Sequence, residues 1–236
     1  LLQHHIVTDH VSLEVVLREI RHQATGGPAL PAPVPFRHFV ERSLAVPATS
    51  HEDYFRALLA DIDDSSAPFG LMAKPADARR DEALLALDNA LAQRVRVEAR
   101  RLGVPPSVLF HVAWAQVVAL CCGRDDIVFG TVLTGRMGGS DGIGDVVGML
   151  INTLPLRVST GTTSVADCVA QTFTRLSELM VHEHAPLAMV QQCSALPPGV
   201  PLFTSLLNYR HGVPTDLAAD GPLGLRTVFA EEASTV

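Results

Sequence analysis

Two apolar segments in succession, Ser107 to Cys122 and Asp126 to Leu133, constrain the fold more than any other feature. The first is long and apolar, with Ser107 placed to cap it and Gly123 to end it, and it reads as a helix. The second is rich in Ile, Val and Phe and reads as a strand. The same alternation continues on both sides. Glu82 to Leu87 is strand-like, Asp88 can cap a helix through Leu102, and Gly103 can end it. Beyond a glycine-rich loop, Gly135 to Asp145, the run Val147 to Val158 is strand-like. Ser164, with Asp167 three residues on, opens a helix to about His182, and Pro201 to Tyr209 is a further strand. Helices alternating with strands predict a layered α/β sandwich rather than a bundle.

The first third is less regular. Leu1 to Val7 reads as a short strand that Thr8-Asp9-His10 breaks. Ser12 then caps a helix whose stripe is Leu13, Val16, Leu17 and Ile20. Thr25 to Pro35, with four prolines and two glycines, is a stiff extended linker. Two short helices follow, around Phe36–Leu44 and Glu52–Ile62, the second opening on Ser50-x-x-Asp53, which resembles a capping box.

Charge and composition exclude several functions. The 236 residues carry 18 Lys and Arg against 25 Asp and Glu, a formal charge of −7. No basic cluster is present to grip a phosphate backbone, so no nucleic-acid partner is expected. Hydrophobic residues at 47% are enough to bury a core. The longest apolar stretch, Val108 to Cys122, is interrupted by His111 and Gln116 and is too short to span a bilayer, so no membrane partner is expected either. Cys121, Cys122, Cys168 and Cys193 form no C-x-x-C pair and fit a reducing, cytoplasmic setting. The opening Leu1-Leu2-Gln3 lacks a methionine, and we expect the chain to be an excised piece of something longer.

The sharpest chemical feature is His4-His5-Ile6-Val7-Thr8-Asp9, a pattern with roughly a 3% chance of arising somewhere in a chain of this composition. On a strand, adjacent residues face opposite ways. One histidine then faces a cleft while the other packs inward, and the pair does not suit one metal ion. The alternative is a pair of ordinary polar residues at a strand end. His182-Glu183-His184 lacks the one-turn spacing of a zinc helix and reads as a helix C-terminus whose histidines complement the dipole. Gly135-Arg136-Met137-Gly138-Gly139 lacks the spacing of a phosphate loop.

Taken in order, the motifs say more than any one alone. His4-His5-x-x-x-Asp9 is followed by Pro35-Phe36-Arg37-His38-Phe39-Val40, by Asp126-Ile127-Val128-Phe129-Gly130 and by Gly135-Arg136. Then come Val147-Gly148-Met149-Leu150-Ile151-Asn152-Thr153-Leu154-Pro155-Leu156-Arg157, His182-Glu183-His184-Ala185-Pro186-Leu187 and Pro201-Leu202-Phe203-x-x-Leu206-Leu207-Asn208-Tyr209. This series resembles the condensation domain of non-ribosomal peptide synthetases, which is related in fold to chloramphenicol acetyltransferase.

The resemblance implies a two-layer α/β sandwich with a mixed sheet, present here in part and truncated at both ends. Residues 1–24 correspond to the end of an N-terminal lobe, 25–81 to a linker with short helices, and 82–236 to an incomplete C-terminal lobe. It implies amide-bond formation between thioesters held on the phosphopantetheine arms of carrier proteins, as part of secondary-metabolite biosynthesis. Carrier proteins and neighbouring synthetase domains are the implied partners, with no cofactor bound directly and no metal. His5, matching the family's second histidine, is the implied proton acceptor, with a mainly positioning role as the alternative, and His4 packs or hydrogen-bonds behind it. Asp9 is structural, with Arg136 as its candidate partner, and Asn152 supports the site by capping or bridging backbone groups near the tunnel. One position departs from the pattern: the family usually has glycine after the aspartate, and this chain has His10. Either the loop is of a variant subtype, or the imidazole reaches into the tunnel. The other readings are a catalytically silent docking relative, an epimerisation domain of the same superfamily, and a metal-dependent hydrolase.

Overall fold

The computed structural model describes residues 4–72, 81–136, 142–161 and 164–210. These fall into two compact units, one drawn from 1–40, 139–150 and 210–236, the other from 41–138 and 151–209.

The first unit holds helix α1 (His10–Ala24) and begins helix α2 (Phe36–Ala45). The N-cap of α1 is Asp9, three residues earlier than expected, because its carboxylate accepts the Ser12 N–H. Ser12 therefore lies inside the first turn. Residues 27–35 carry no regular structure, as the prolines require. A small apolar cluster of Ile143, Val146 and Leu150 is covered by Val34 and Phe39. Gly148 lies against the Phe36 ring, where any Cβ would collide with it.

The second unit is built around a three-stranded mixed sheet in the order β2-β1-β3. Strand β1 (Asp126–Leu133) runs antiparallel to β2 (Asn152–Ser159) from Asp126↔Ser159 to Leu133↔Asn152. It runs parallel to β3 (Leu206–Leu207) through Gly130 and Thr131. β1 is buried on both faces from Ile127 to Thr131, as befits the central strand. Packed with the sheet are α3 (Ala48–Leu59), α5 (Pro106–Cys122), α6 (Val165–Val181) and α7 (Leu187–Gln191), which share one core with it. Phe55, Phe129, Leu59, Ile127, Leu154 and Leu156 are among its largest fully enclosed side chains. Helix α4 (Asn89–Leu102) begins at Asp88, which accepts the Leu91 N–H, and packs on α5. Gly123 ends α5 at φ 68°, the left-handed region that a side chain resists.

The expected mixed α/β sandwich is present, and several elements differ from the sequence reading. Residues 82–87 form no strand: Leu84 is 98% exposed, and an apolar run without a partner strand remains unpaired. The strand expected from Val147 begins only at Asn152, because Asp9 and Ser12 occupy the backbone groups of Gly148 and Leu150 that a ladder would use. The strand expected over Pro201–Tyr209 shrinks to two residues. Upstream of it, Leu202 O and the Thr204 N–H are taken by Ser66. Helices α3 and α5 start at Ala48 and Pro106 after prolines, so neither Ser50 nor Ser107 is a cap. Cys121 and Cys122 are half-buried, and all four cysteines are free.

Candidate functional site

The double-histidine motif forms a turn. His5, Ile6 and Val7 fold back so that the Val7 N–H donates to His4 O at 3.1 Å. The Ile6 N–H donates to His4 Nδ1 at 3.1 Å. A ring nitrogen that accepts carries no proton, so a neutral His4 keeps its proton on Nε2. These bonds replace the expected strand, so strand alternation does not set the directions of the two rings. Both rings are exposed on the turn. Leu1 to Gln3 lie outside the described residues.

Asp9 anchors this turn and is 0% exposed. Its Oδ1 accepts the Ser12 N–H at 2.8 Å and lies 2.8 Å from Ser12 Oγ. Its Oδ2 accepts the Leu150 N–H at 3.2 Å, and its own N–H donates to Gly148 O at 3.3 Å. Ser12 Oγ accepts the Gly148 N–H at 2.9 Å. One carboxylate thus starts a helix and holds the 148–150 segment against it. An anion at a helix N-terminus is favoured by the dipole as well. His10 is the first residue of α1, and Phe69 alone among the described non-glycine residues has a positive φ. The backbone after Asp9 therefore does not require glycine, and His10 introduces no strain.

Asn152 and Arg136 belong to the second unit. Asn152 Nδ2 donates to Glu183 O at 2.9 Å and to Ala185 O at 2.8 Å, while Oδ1 accepts the Thr153 N–H. All three bonds fit one amide and fix its orientation. The half-buried Arg136 follows β1 by three residues, and its N–H reaches Thr134 Oγ1 at 3.4 Å. Leu133 and Asn152 are register partners, so the turn after β1 and the start of β2 lie side by side.

The segment gripped by Asn152 adjoins a buried histidine pair of which the sequence signalled only one member, His182. His182 caps the C-terminus of α6, yet it is buried, with its Nδ1 2.9 Å from Nδ1 of the buried His51 on α3. Tyr54 stacks on the same ring at 4.2 Å. Burial lowers the pKa of both imidazoles, and His51 lowers that of His182 further. A neutral ring cannot serve the dipole as a cation, which corrects the earlier reading of His182. Burial lowers the pKa of His184 too, with Arg42 and His51 adding to the effect. Glu183 is buried, and desolvation raises its pKa against the opposing pull of Arg42 and the Gly135 N–H. His51 sits 131 positions from His182, and nothing in either local pattern signals the pair. Among the described residues no group of three His, Cys, Asp or Glu side chains could hold a metal ion. No single helix there is long and apolar enough to cross a membrane.

The family model of the condensation domain matches residues 1–217. The chain belongs to the condensation-domain family. It is 46% identical over 213 residues to malpinin synthetase of Mortierella alpina, covering 89% of this chain and 3% of the synthetase. Malpibaldin synthetase of the same organism is 46% identical over 218 residues, with 4% of its length covered. The chain thus spans a few per cent of these large synthetases. Among solved structures, the first condensation domain of the calcium-dependent antibiotic synthetase, in complex with a substrate analogue, superposes with a TM-score of 0.70 at 20% identity. The match covers 87% of this chain and 48% of that one. At that identity the likeness shows the condensation-domain fold, of which this chain spans about half.

Proposed function

We propose that this chain is part of a condensation domain that joins two carrier-bound thioesters through an amide bond, with His5 as the proton acceptor. The observation that carries the reading is the exposed His5 four residues before the fully buried, helix-capping Asp9, in a chain of this family. The acceptor amine attacks the donor thioester carbonyl. As the tetrahedral species forms, the amine nitrogen gains a positive charge and must lose a proton, and an imidazole titrates in the right range to take it. Collapse of that species expels the donor pantetheine thiolate, leaving the extended amide on the downstream carrier. Holding both arms head to head supplies a further share of the rate.

His4 supports the turn through its Nδ1 acceptor, and Asp9 fixes the turn to α1. In this reading Asn152 steadies the strand end beside Arg136, and His10 borders the substrate passage. Residues 1–24 close an N-terminal lobe, 25–81 link the lobes, and 82–236 form much of the C-terminal lobe. The substrates ride on phosphopantetheine arms, and the partners are carrier proteins and adjacent synthetase domains. The test is His5→Ala in the complete domain with loaded donor and acceptor carriers. A fall in amide formation of about 100-fold or more, within the usual range for a general base, supports the assignment. An unchanged rate removes it.

A further inference from the structure

Ser12 carries a fully buried hydroxyl that the proposed chemistry does not use. Asp9 already caps α1, so the helix itself does not require it. The Ser12 Oγ nevertheless makes three close contacts. It lies 2.8 Å from Asp9 Oδ1 and 2.8 Å from Gly148 O, and it accepts the Gly148 N–H at 2.9 Å. A hydroxyl has one proton to give, so the carboxylate and the carbonyl share it while a lone pair takes the amide.

These contacts close a ring of bonds. The Asp9 N–H donates to Gly148 O at 3.3 Å, and Asp9 Oδ1 accepts the Ser12 N–H at 2.8 Å. Asp9 Oδ2 takes the Leu150 N–H at 3.2 Å. The N–H and the C=O of Gly148 are thus both held by the start of α1, and the Phe36 ring closes the direction in which a Cβ at 148 would point. Thr8 is all that separates Asp9 from Val7, whose N–H closes the histidine turn on His4 O at 3.1 Å. A shift of Asp9 therefore passes directly into that turn.

We infer that Ser12 is a positioning residue: its one hydroxyl ties the Asp9 carboxylate to both main-chain groups of Gly148 and so fixes the end of the turn that presents His5. The inference deepens the amide-forming reading and rests on it for its effect on rate, while the ring of bonds stands without it. The hydroxyl is the property that matters. Threonine keeps it, alanine removes it, and cysteine keeps nearly the same size with only a weak donor and acceptor.

The experiment uses the complete domain as wild type, Ser12→Ala, Ser12→Cys, Ser12→Thr and Val15→Ala. Val15 is buried on the same helix and has no polar side-chain atom, so its truncation loosens α1 without removing a bond of the ring. Ser12→Cys carries the test where Ser12→Ala does not fold. In the first arm NMR follows exchange of the Gly148 amide and the ring signals of His5. Ser12→Ala and Ser12→Cys should lose Gly148 protection and move the His5 signals, whereas Ser12→Thr and Val15→Ala should keep both near wild type. In the second arm amide formation is measured with loaded carriers. For Ser12→Ala and Ser12→Cys kcat should fall about tenfold or more with KM for each carrier little changed, and Ser12→Thr should recover most of the loss. Unchanged Gly148 protection or unmoved His5 signals in the alanine or cysteine variant overturn the inference, as does a Val15→Ala rate that falls as far. Absence of amide product from wild type itself overturns the functional reading instead, and the Gly148 and His5 signals still decide whether Ser12 holds the turn.

Discussion

Asp9 and Asn152 each join segments that are far apart in the sequence, and each does so with a side chain that no substitute matches fully. Asp9→Ala removes a helix cap and leaves the Leu150 N–H without its acceptor. Caps contribute about 0.5–2 kcal/mol and an orphaned buried donor costs about 1–3 kcal/mol, so a loss of about 2 kcal/mol or more is expected by chemical denaturation. Asp9→Asn, which keeps an acceptor, should lose less. At Asn152 the order reverses. Asn152→Asp places a carboxylate against the Glu183 and Ala185 carbonyls, where an amide had donated. It should destabilise more than Asn152→Ala, and equal melting temperatures for the two would contradict the clamp. The motif His4-His5-x-x-x-Asp9 and the position of Asn152 could be picked out in the chain, since family resemblance marks single positions. The anchoring of Asp9 and Ser12 could not, because it depends on Gly148 and Leu150, some 140 residues away.

The elements that were legible in advance are those whose signals are local. α4 has its cap at Asp88, α6 has Ser164 with Asp167, and β1 has an unbroken apolar run, and each matches the sequence reading closely. The misreadings over 82–87, 147–151 and 201–205 share a cause. A strand exists only when a partner accepts its hydrogen bonds, and the chain alone does not reveal that partner. Where α3 meets the end of α6, His51 and His182 lie Nδ1 to Nδ1 at 2.9 Å, a hydrogen bond that needs one ring to accept, and this makes the contact acid-sensitive. Three buried histidines, His51, His111 and His182, and the half-buried His184 have pKa values lowered mainly by desolvation. The folded protein keeps them neutral, so their contribution is complete above the ordinary value of 6.5. Below it the unfolded chain takes up protons first, and stability declines toward the lowered folded values. Each fully linked histidine adds a slope of up to about 1.4 kcal/mol per pH unit. Melting temperature should therefore fall between pH 7 and pH 5.5, and His182→Phe should flatten the fall. A pH-independent melting temperature over that range would contradict the neutral pair.

For the molecule as a whole, the second unit's single core predicts cooperative unfolding of its sheet and helices. Phe129 is fully enclosed at the centre of β1, and Phe129→Ala should cost about 3–5 kcal/mol, read as a lower denaturation midpoint by the unit's own probes. The division into two units was not legible in the chain, because residues 142–150 join the first unit through contacts with Asp9, Ser12 and Phe36 rather than with their sequence neighbours. The central claim concerns chemistry, and one measurement addresses it directly. The complete domain is given one equivalent each of a loaded donor carrier and a loaded acceptor carrier, and the acceptor carrier is weighed intact after a single turnover. The expected result is a gain equal to the donor acyl group less the one hydrogen it replaces, with the donor carrier returned as free thiol. An acceptor carrier of unchanged mass, or one that only takes up deuterium at its α-carbon in heavy water, would contradict it.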